Sequence, residues 1–231
     1  MHGTLDLAAV AALAGDPARA AMLTALFDGR ARTAGELAFF AGVKGPTASG
    51  HLARLEEGRL VTAMKQGRNR YYRLANAAVA HMLESIMAVA AAGPPRHRPH
   101  SRADDALRAA RTCYDHLAGK LGVALTDALM REGHIVLGED GGEVTERGVR
   151  FLDQFGAGIA EARRARRAFC RPCLDWTERR PHLGGAVGAA IATRAFDLDW
   201  VERQRDGRAL TITEKGRAGF AEIFGATLEA P

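Results

Sequence analysis

Thr33–Leu74 reads TAGELAFFAGVKGPTASGHLARLEEGRLVTAMKQGRNRYYRL, and its succession of caps, turns and apolar stripes decides the fold of the N-terminal part. Thr33-Ala-Gly-Glu36 is a capping box: the threonine hydroxyl accepts from the amide three residues on, and the glutamate reaches back. The helix it opens, Gly35 to Phe40, ends at Ala41-Gly42, where glycine tolerates the left-handed conformation of a helix end. Val43-Lys44-Gly45-Pro46 is a turn, and Pro46 falls in the first turn of the next helix, where its missing N–H is harmless. That helix, Pro46 to Glu57, sets Ala48, Leu52 and Leu55 on one stripe. Gly58 stops it. Leu60–Lys65 and Arg70–Leu74 form two short strands around Gln66-Gly67-Arg68-Asn69, a sequence suited to a tight hairpin. Helix, turn, helix and basic-tipped hairpin in this order is the layout of a winged helix-turn-helix, whose partner is double-stranded DNA.

Thr47 and Ser49 put short hydrogen-bonding groups near the N-terminus of the second helix, where such helices meet base edges. Arg54 on that helix, and Arg68 and Arg70 at the hairpin tip with Lys65 beside them, can reach phosphates or the minor groove. An ordinary helix pair with solvated surface arginines is the bland alternative. Each piece alone fits it; the ordered combination favours DNA.

Three motifs carry a family resemblance: Leu13-Ala-Gly-Asp-Pro-Ala-Arg19, Gly42-Val-Lys-Gly-Pro-Thr-Ala-Ser-Gly-His-Leu-Ala-Arg-Leu55 and Gly67-Arg-Asn-Arg-Tyr-Tyr-Arg-Leu74. Over about residues 5–92 the chain resembles the ArsR/SmtB family of bacterial transcriptional repressors. The resemblance implies a homodimer paired through the first and last helices of the domain, an operator as target, and an effector that lowers DNA affinity. By position it assigns base reading to Lys44, Thr47, Ser49, Gly50 and His51, with Gly50 standing where a longer polar or basic side chain is common. The family's metal positions transfer poorly. The helix before the recognition helix has no thiol, and His81-x-x-Glu84 matches only half of the ligand set on the domain's last helix, so it is left outside the candidate sites.

The chain has 231 residues, 47% of them hydrophobic, which suggests two domains with real cores. A formal charge of +5 favours an acidic partner without identifying one. Four lysines against 28 arginines fit genome composition better than a functional choice. Three cysteines without a secretory segment fit a reducing interior, and no apolar run is long enough to span a bilayer. The expected protein is cytoplasmic, with no membrane partner.

Leu5–Ala14 reads as a first helix, and Asp16-Pro17 starts a second that ends near Asp28-Gly29. Ala75–Ala92 is an Ala-rich helix whose apolar stripe exceeds what a small domain needs, so part of it should face a second subunit. Gly93–Ser101 reads as a stiff polar linker. Hence the expected organisation is a winged helix-turn-helix and dimerisation domain over 1–92, a linker over 93–102, and a sensor or interaction domain over 103–231. The last contains an imperfect repeat, about 103–158 and 168–231. Cys113-Tyr-Asp115 returns as Cys173-Leu-Asp175, His116-Leu-Ala-Gly119-Lys-Leu-Gly122 as His182-Leu-Gly-Gly185-Ala-Val-Gly188, and Thr145-Glu-Arg-Gly148 as Thr213-Glu-Lys-Gly216. Each unit reads as a helix, a strand, a Gly-containing turn, a strand and a closing helix. The expected fold is therefore mainly α with small β-hairpin wings, an N-terminal winged helix-turn-helix followed by two winged-helix-like repeats. The Cys-Tyr-Asp-His-Leu-Ala-Gly and Cys-Leu-Asp-Trp segments are also similar to a longer subgroup of ArsR-like regulators.

Cys113 and His116 lie three apart, on one face if their segment is helical, and Cys173 and His182 match them in the second unit. Packed about a local twofold, these four would make a Cys2His2 site for zinc, with Asp115 and Asp175 orienting the imidazoles. Cys170 adds a third thiol that an ion such as arsenite would take. A redox thiol and plain packing of small buried cysteines are the alternatives. The basic run Glu161–Arg171 can meet phosphates or an anionic effector, or simply be a wet helix face. A metal-dependent enzyme fused to a DNA-binding module would need an open metal position and a base, for which Glu178 is the sole candidate. Another alternative is a non-sensing DNA-binding protein whose C-terminal half only oligomerises. A non-enzymatic repressor released by an effector fits the sequence best. On the wing assignment, Arg68→Ala lowers affinity for all DNA sequences alike and reduces the salt slope by about 1; fluorescence anisotropy across a salt series checks it, and unchanged affinity and slope would refute the assignment.

Overall fold

The structure, a computed structural model, describes residues 7–93, 101–139, 141–204 and 207–228. Two compact units divide between Met82 and Leu83. The first opens with α1 (Leu7–Gly15) and α2 (Pro17–Ala25), the latter capped by Asp16, whose carboxylate accepts from the Arg19 amide, and extended by one 3-10 turn, Leu26–Asp28. A short strand β1 (Arg32–Thr33) leads into α3 (Ala34–Ala41), where the Thr33–Glu36 capping box is formed as expected and Gly42 ends the helix with φ 64°. Next come α4 (Gly45–Glu57) and the hairpin of β2 (Val61–Gln66) and β3 (Asn69–Leu74). Pairing of Gln66 with Asn69 narrows the hairpin turn to Gly67-Arg68, and Gly67 supplies the positive φ. β1 pairs with β3 to make a three-stranded sheet, which a two-residue strand gives no periodicity to announce. Met22, Leu23, Leu26, Phe27, Leu37, Ala48, Leu52 and Leu55 are its core.

Helix α5 (Ala77–Ala92) starts in the first unit and ends in the second. The sequence placed the division after it; the contacts divide it instead. The expected linker lies mostly outside the described residues, but Ser101 is no linker residue: it caps α6 (Arg102–Ala109) in a second capping box, with Asp104 as the returning carboxylate. Then follow β4 (Arg111–Cys113), β5 (His116–Ala118), α7 (Gly119–Arg131), β6 (Ile135–Leu137), β7 (Gly142–Val144) and α8 (Glu146–Phe155). After a short α9 (Ile159–Arg164), the same order recurs as β8 (Arg171–Leu174), β9 (Pro181–Gly184), α10 (Gly185–Asp197), β10 (Val201–Arg203), β11 (Leu210–Ile212) and α11 (Glu214–Phe224). The later strand pairs and the Thr145 and Thr213 caps of the closing helices fall where the sequence put them. The earlier pairs overturn an expectation: Cys113 and His116 sit opposite each other on paired strands, not on a helix. In an antiparallel ladder, facing residues are neighbours whatever their spacing along the chain, so Cys173 and His182, nine apart, are equivalent to them.

Both halves contribute to one apolar core, from Leu121 and Leu129 to Val187, Ile191 and Phe220. The halves also interlock. A Cβ on Gly122 would collide with the Leu117 carbonyl and touch Cβ of His182; a Cβ on Gly188 would collide with the Leu183 carbonyl and touch Cβ of His116. The helix of each half thus accepts the histidine of the other. Leu183 N–H donates to Thr126 Oγ1 (2.8 Å) across the same contact. Among the described residues no single helix is long and apolar enough to cross a membrane. Because backbone oxygens leave no room for a methyl group, Gly122→Ala and Gly188→Ala each destabilise the second unit by about 1–3 kcal/mol, measurable as a lower midpoint in urea.

Candidate nucleic-acid interface and a buried cysteine–histidine centre

The proline near the start of α4 and the buried stripe Ala48, Leu52 and Leu55 fix which face of the helix turns outward. Lys44 occupies the N-cap, and Thr47, Ser49, Gly50 and Arg54 are exposed. Ser49 Oγ donates back to the Gly45 carbonyl (3.1 Å), a local bond the hydroxyl can exchange for an outside partner. Nothing lies within 4 Å of a Cβ built on Gly50, so no packing demands glycine there. His51 is different. It is half-buried, with Nδ1 3.6 Å from Asp16 and 3.5 Å from Arg19, and belongs to the α1–α2 corner rather than to the outward face. Arg68 stands exposed at the hairpin tip. Arg70 is committed to Glu56, donating to both carboxylate oxygens at 2.7 Å, with its guanidinium over the Tyr72 ring. A phosphate would have to compete with that pair.

The four ligand candidates of the second unit converge. Cys113 Sγ, Cys173 Sγ and one nitrogen each of His116 and His182 lie within 4.8 Å of one another, and all four residues are buried. The two imidazoles stack with Nε2 atoms 3.1 Å apart. Each Nδ1 faces an aspartate, as the sequence suggested: Asp115 at 3.3 Å from His116, Asp175 at 3.4 Å from His182. The second contact is a loose one, outside hydrogen-bond geometry. Cys170 does not join them. It lies in the apolar core, packed by Gly142, just before β8 begins at Arg171; burial pushes its thiol up to about 11. The expectation of three converging thiols is thus corrected to two.

The supporting groups differ between the halves. Asp175 is fully buried, pairs with Arg111 (2.8 Å), accepts from Gly119 N–H (2.7 Å) and closes its own loop through Thr177 and Glu178. Burial would raise its carboxyl, but Arg111 dominates and holds it well below the ordinary range. Asp115 lies half-buried in the two-residue turn after Cys113, clamped by Arg167. Its neighbour Tyr114 has φ 59°, a conformation bulky residues rarely take. Burial alone would lower His116; the Asp115 hydrogen bond, Cys113 and Glu84 prevail and raise it to about 9. His182 is driven well below its usual range by burial and by His116. The 3.1 Å Nε2–Nε2 contact is a hydrogen bond with a proton on one of the two nitrogens. Cys113 is pushed well above the ordinary thiol range by its hydrogen bond with Cys173 and by burial.

Glu84 is the residue the sequence did not assign. Only 7% exposed, it accepts from the Cys113 thiol (3.1 Å), pairs with Arg171 (3.1 Å) and lies 3.8 Å from His116 Nε2. Burial would raise its carboxyl, but His116, Cys113 and Arg171 together keep it lowered. One signal could have found it: a glutamate on the inner face of an otherwise apolar, alanine-rich helix needs a buried partner.

Residues 14–62 match the helix-turn-helix domain family. Over 215 residues the chain is 40% identical to YdfF of Bacillus subtilis (strain 168), an uncharacterized HTH-type transcriptional regulator, covering 93% of this chain and 95% of YdfF. Two solved structures are also similar. The homodimeric winged helix-turn-helix DNA-binding domain of Mb0332 from Mycobacterium bovis, a possible ArsR-family regulator, is 28% identical, with 43% of this chain and all of that chain covered and a TM-score of 0.36. The cadmium metal-sensor CMTR of Mycobacterium tuberculosis is 30% identical, with 41% and 97% covered and a TM-score of 0.33. A relative this similar over nearly its whole length shows the family: the chain belongs to the HTH-type transcriptional regulators, with its helix-turn-helix in the N-terminal unit.

Proposed function

We propose that the protein is a cytoplasmic, homodimeric repressor whose operator affinity is set by a zinc-class ion held by Cys113, His116, Cys173 and His182. One observation carries the proposal: four buried donor atoms, drawn from facing positions of two hairpins, lie within 4.8 Å of one another. The donor set fits the ion. Two thiols and two imidazoles are zinc's preferred ligands, and two nitrogens on one tetrahedral zinc stand about 3.4 Å apart, close to the 3.1 Å between the two Nε2 atoms. Aspartates behind both Nδ1 atoms leave Nε2 directed at the ion. Two thiols rather than three favour zinc over arsenite.

Four protein donors fill a tetrahedron and leave no open position for substrate, so the centre suits an ion that is sensed or structural rather than catalytic. Glu178, the only base the sequence offered, is not among the four donors and accepts from the Thr177 hydroxyl. For DNA, the outward face of α4 with Lys44, Thr47, Ser49 and Gly50 reads bases, and Arg54 and Arg68 hold phosphates; His51 and Arg70 take part only after leaving Asp16 and Glu56. In support of a homodimer, α1 is an apolar helix with no buried residue among those described, an arrangement that calls for a partner surface.

Zinc binds the purified protein with one ion per chain, and Cys113→Ser or Cys173→Ser weakens it by at least about 100-fold, more than the 10–100-fold that Asp115→Asn costs. Cys170→Ala leaves zinc affinity unchanged. Competition with a fluorescent chelator measures all four variants, and zinc binding that ignores Cys113 and Cys173 ends the proposal. On a duplex from the chain's own promoter, zinc changes affinity by about 5–150-fold, read by footprinting with and without chelator.

A further inference from the structure

We propose that Glu84 is the positioning residue through which occupancy of the cysteine–histidine centre reaches helix α5; this rests on the reading of that centre as a metal site. Glu84 is not one of the four converging donors, yet it is held by them. The Cys113 thiol donates to its Oε1, Cys173 hydrogen-bonds it as well, and His116 Nε2 stands 3.8 Å away. Arg171, on the hairpin that carries Cys173, holds Oε2 at 3.1 Å.

Glu84 also matters to its helix. Among the described side chains of residues 83–93 it alone is buried; the rest are half-buried or exposed, with Ile86 at 49% and Val89 at 75%. Arg208 to the Met87 sulfur and Arg179 to the Ala91 carbonyl near the helix end also tie this stretch. The carboxylate is therefore the buried anchor among the described side chains of the second half of α5. The first six residues of the same helix belong to the unit that carries the winged helix-turn-helix.

Ligation and anchoring compete for the same sulfur atoms. A cysteine that binds zinc gives its proton to solvent and turns its sulfur to the ion. Cys113 then has no hydrogen to donate, and Oε1 of Glu84 faces a thiolate in a dry site, where an acceptor without a donor is unfavourable. Arg171 still holds Oε2. Zinc thus loosens α5 at Glu84 while tightening the two hairpins around the ion. A glutamine at this position behaves differently: its amide N–H can donate to the thiolate, and its carbonyl can accept from the thiol, so the helix stays anchored in both states.

Hydrogen–deuterium exchange of the full chain, with and without zinc, tests this. In the wild type, zinc slows exchange over 111–118 and 171–184 and accelerates it severalfold over 83–92. In Glu84→Gln, zinc binds with similar affinity and slows the hairpins, but the acceleration over 83–92 disappears. Failure of the wild type to bind zinc defeats the metal reading itself. Zinc binding with unchanged or slower exchange over 83–92 overturns the proposal while leaving the metal reading intact, and needs no variant to show it. Full acceleration in Glu84→Gln overturns it too. A loss of zinc affinity in Glu84→Gln beyond tenfold does the same, because Glu84 would then be a ligand.

Discussion

The second unit depends on one reciprocal contact: the helix of each half lacks a side chain where the histidine of the other half must lie. Gly122 faces His182 and Gly188 faces His116, each with a backbone carbonyl from its own preceding strand on the far side. Protein interiors are packed too tightly to absorb an extra methyl group there. Because the accommodation is mutual, neither ββα half can bring its cysteine and histidine into register with a complete set of partners alone. The centre is a product of assembly, and so are the supports around it. Asp175 of the later half bonds the Gly119 amide and the Arg111 guanidinium of the earlier one, and Asp115 of the earlier half is clamped by Arg167 from the segment joining them.

That interlock explains why a repeat in sequence gives an asymmetric site. The same Cys-x-Asp and His-Leu-x-Gly-x-x-Gly letters are placed on different turns, a two-residue turn at Tyr114-Asp115 and a longer loop from Asp175 to Arg180. The longer loop lets Asp175 withdraw from water and pair with a fully buried arginine, whereas Asp115 stays half-exposed. Two imidazoles that look equivalent in the sequence are shifted in opposite directions: against burial, Asp115, Cys113 and Glu84 raise His116, whereas burial and His116 lower His182.

Much of this was legible before any coordinates. The capping boxes, the proline at the start of α4 and the glycine in the wing turn are local signals, and the N-terminal unit follows them almost residue by residue. The repeat suggested that Cys113, His116, Cys173 and His182 would meet if the two units packed about a local twofold, and the four donors do lie within 4.8 Å of one another. The geometry that brings them together was not legible. Three-residue strands such as β4 and β5 give no periodicity, and a spacing of three reads as a helix turn just as well. Likewise His51 and Arg70 look free in the sequence, since their partners Asp16 and Glu56 are 35 and 14 residues away. Glu84 stood out in the sequence only as half of a His-x-x-Glu ligand set, since its thiol partner lies 29 residues on.

The proton held by His116 has an electrostatic consequence. His116, raised to about 9 by Asp115, Cys113 and Glu84 against the effect of burial, favours its protonated form, and the Cys113 thiol is pushed well above the ordinary range. A dication held by both thiolates and both neutral imidazoles would displace two thiol protons and one imidazolium proton, three positive charges leaving for two arriving. The buried charge would then fall by one unit instead of rising by two, which would offset part of the penalty for carrying a divalent ion into a medium of low dielectric. Protons on these groups are thus what a doubly charged ion would exchange with on entering a site with little access to water, beside the carboxylates of Glu84, Asp115 and Asp175.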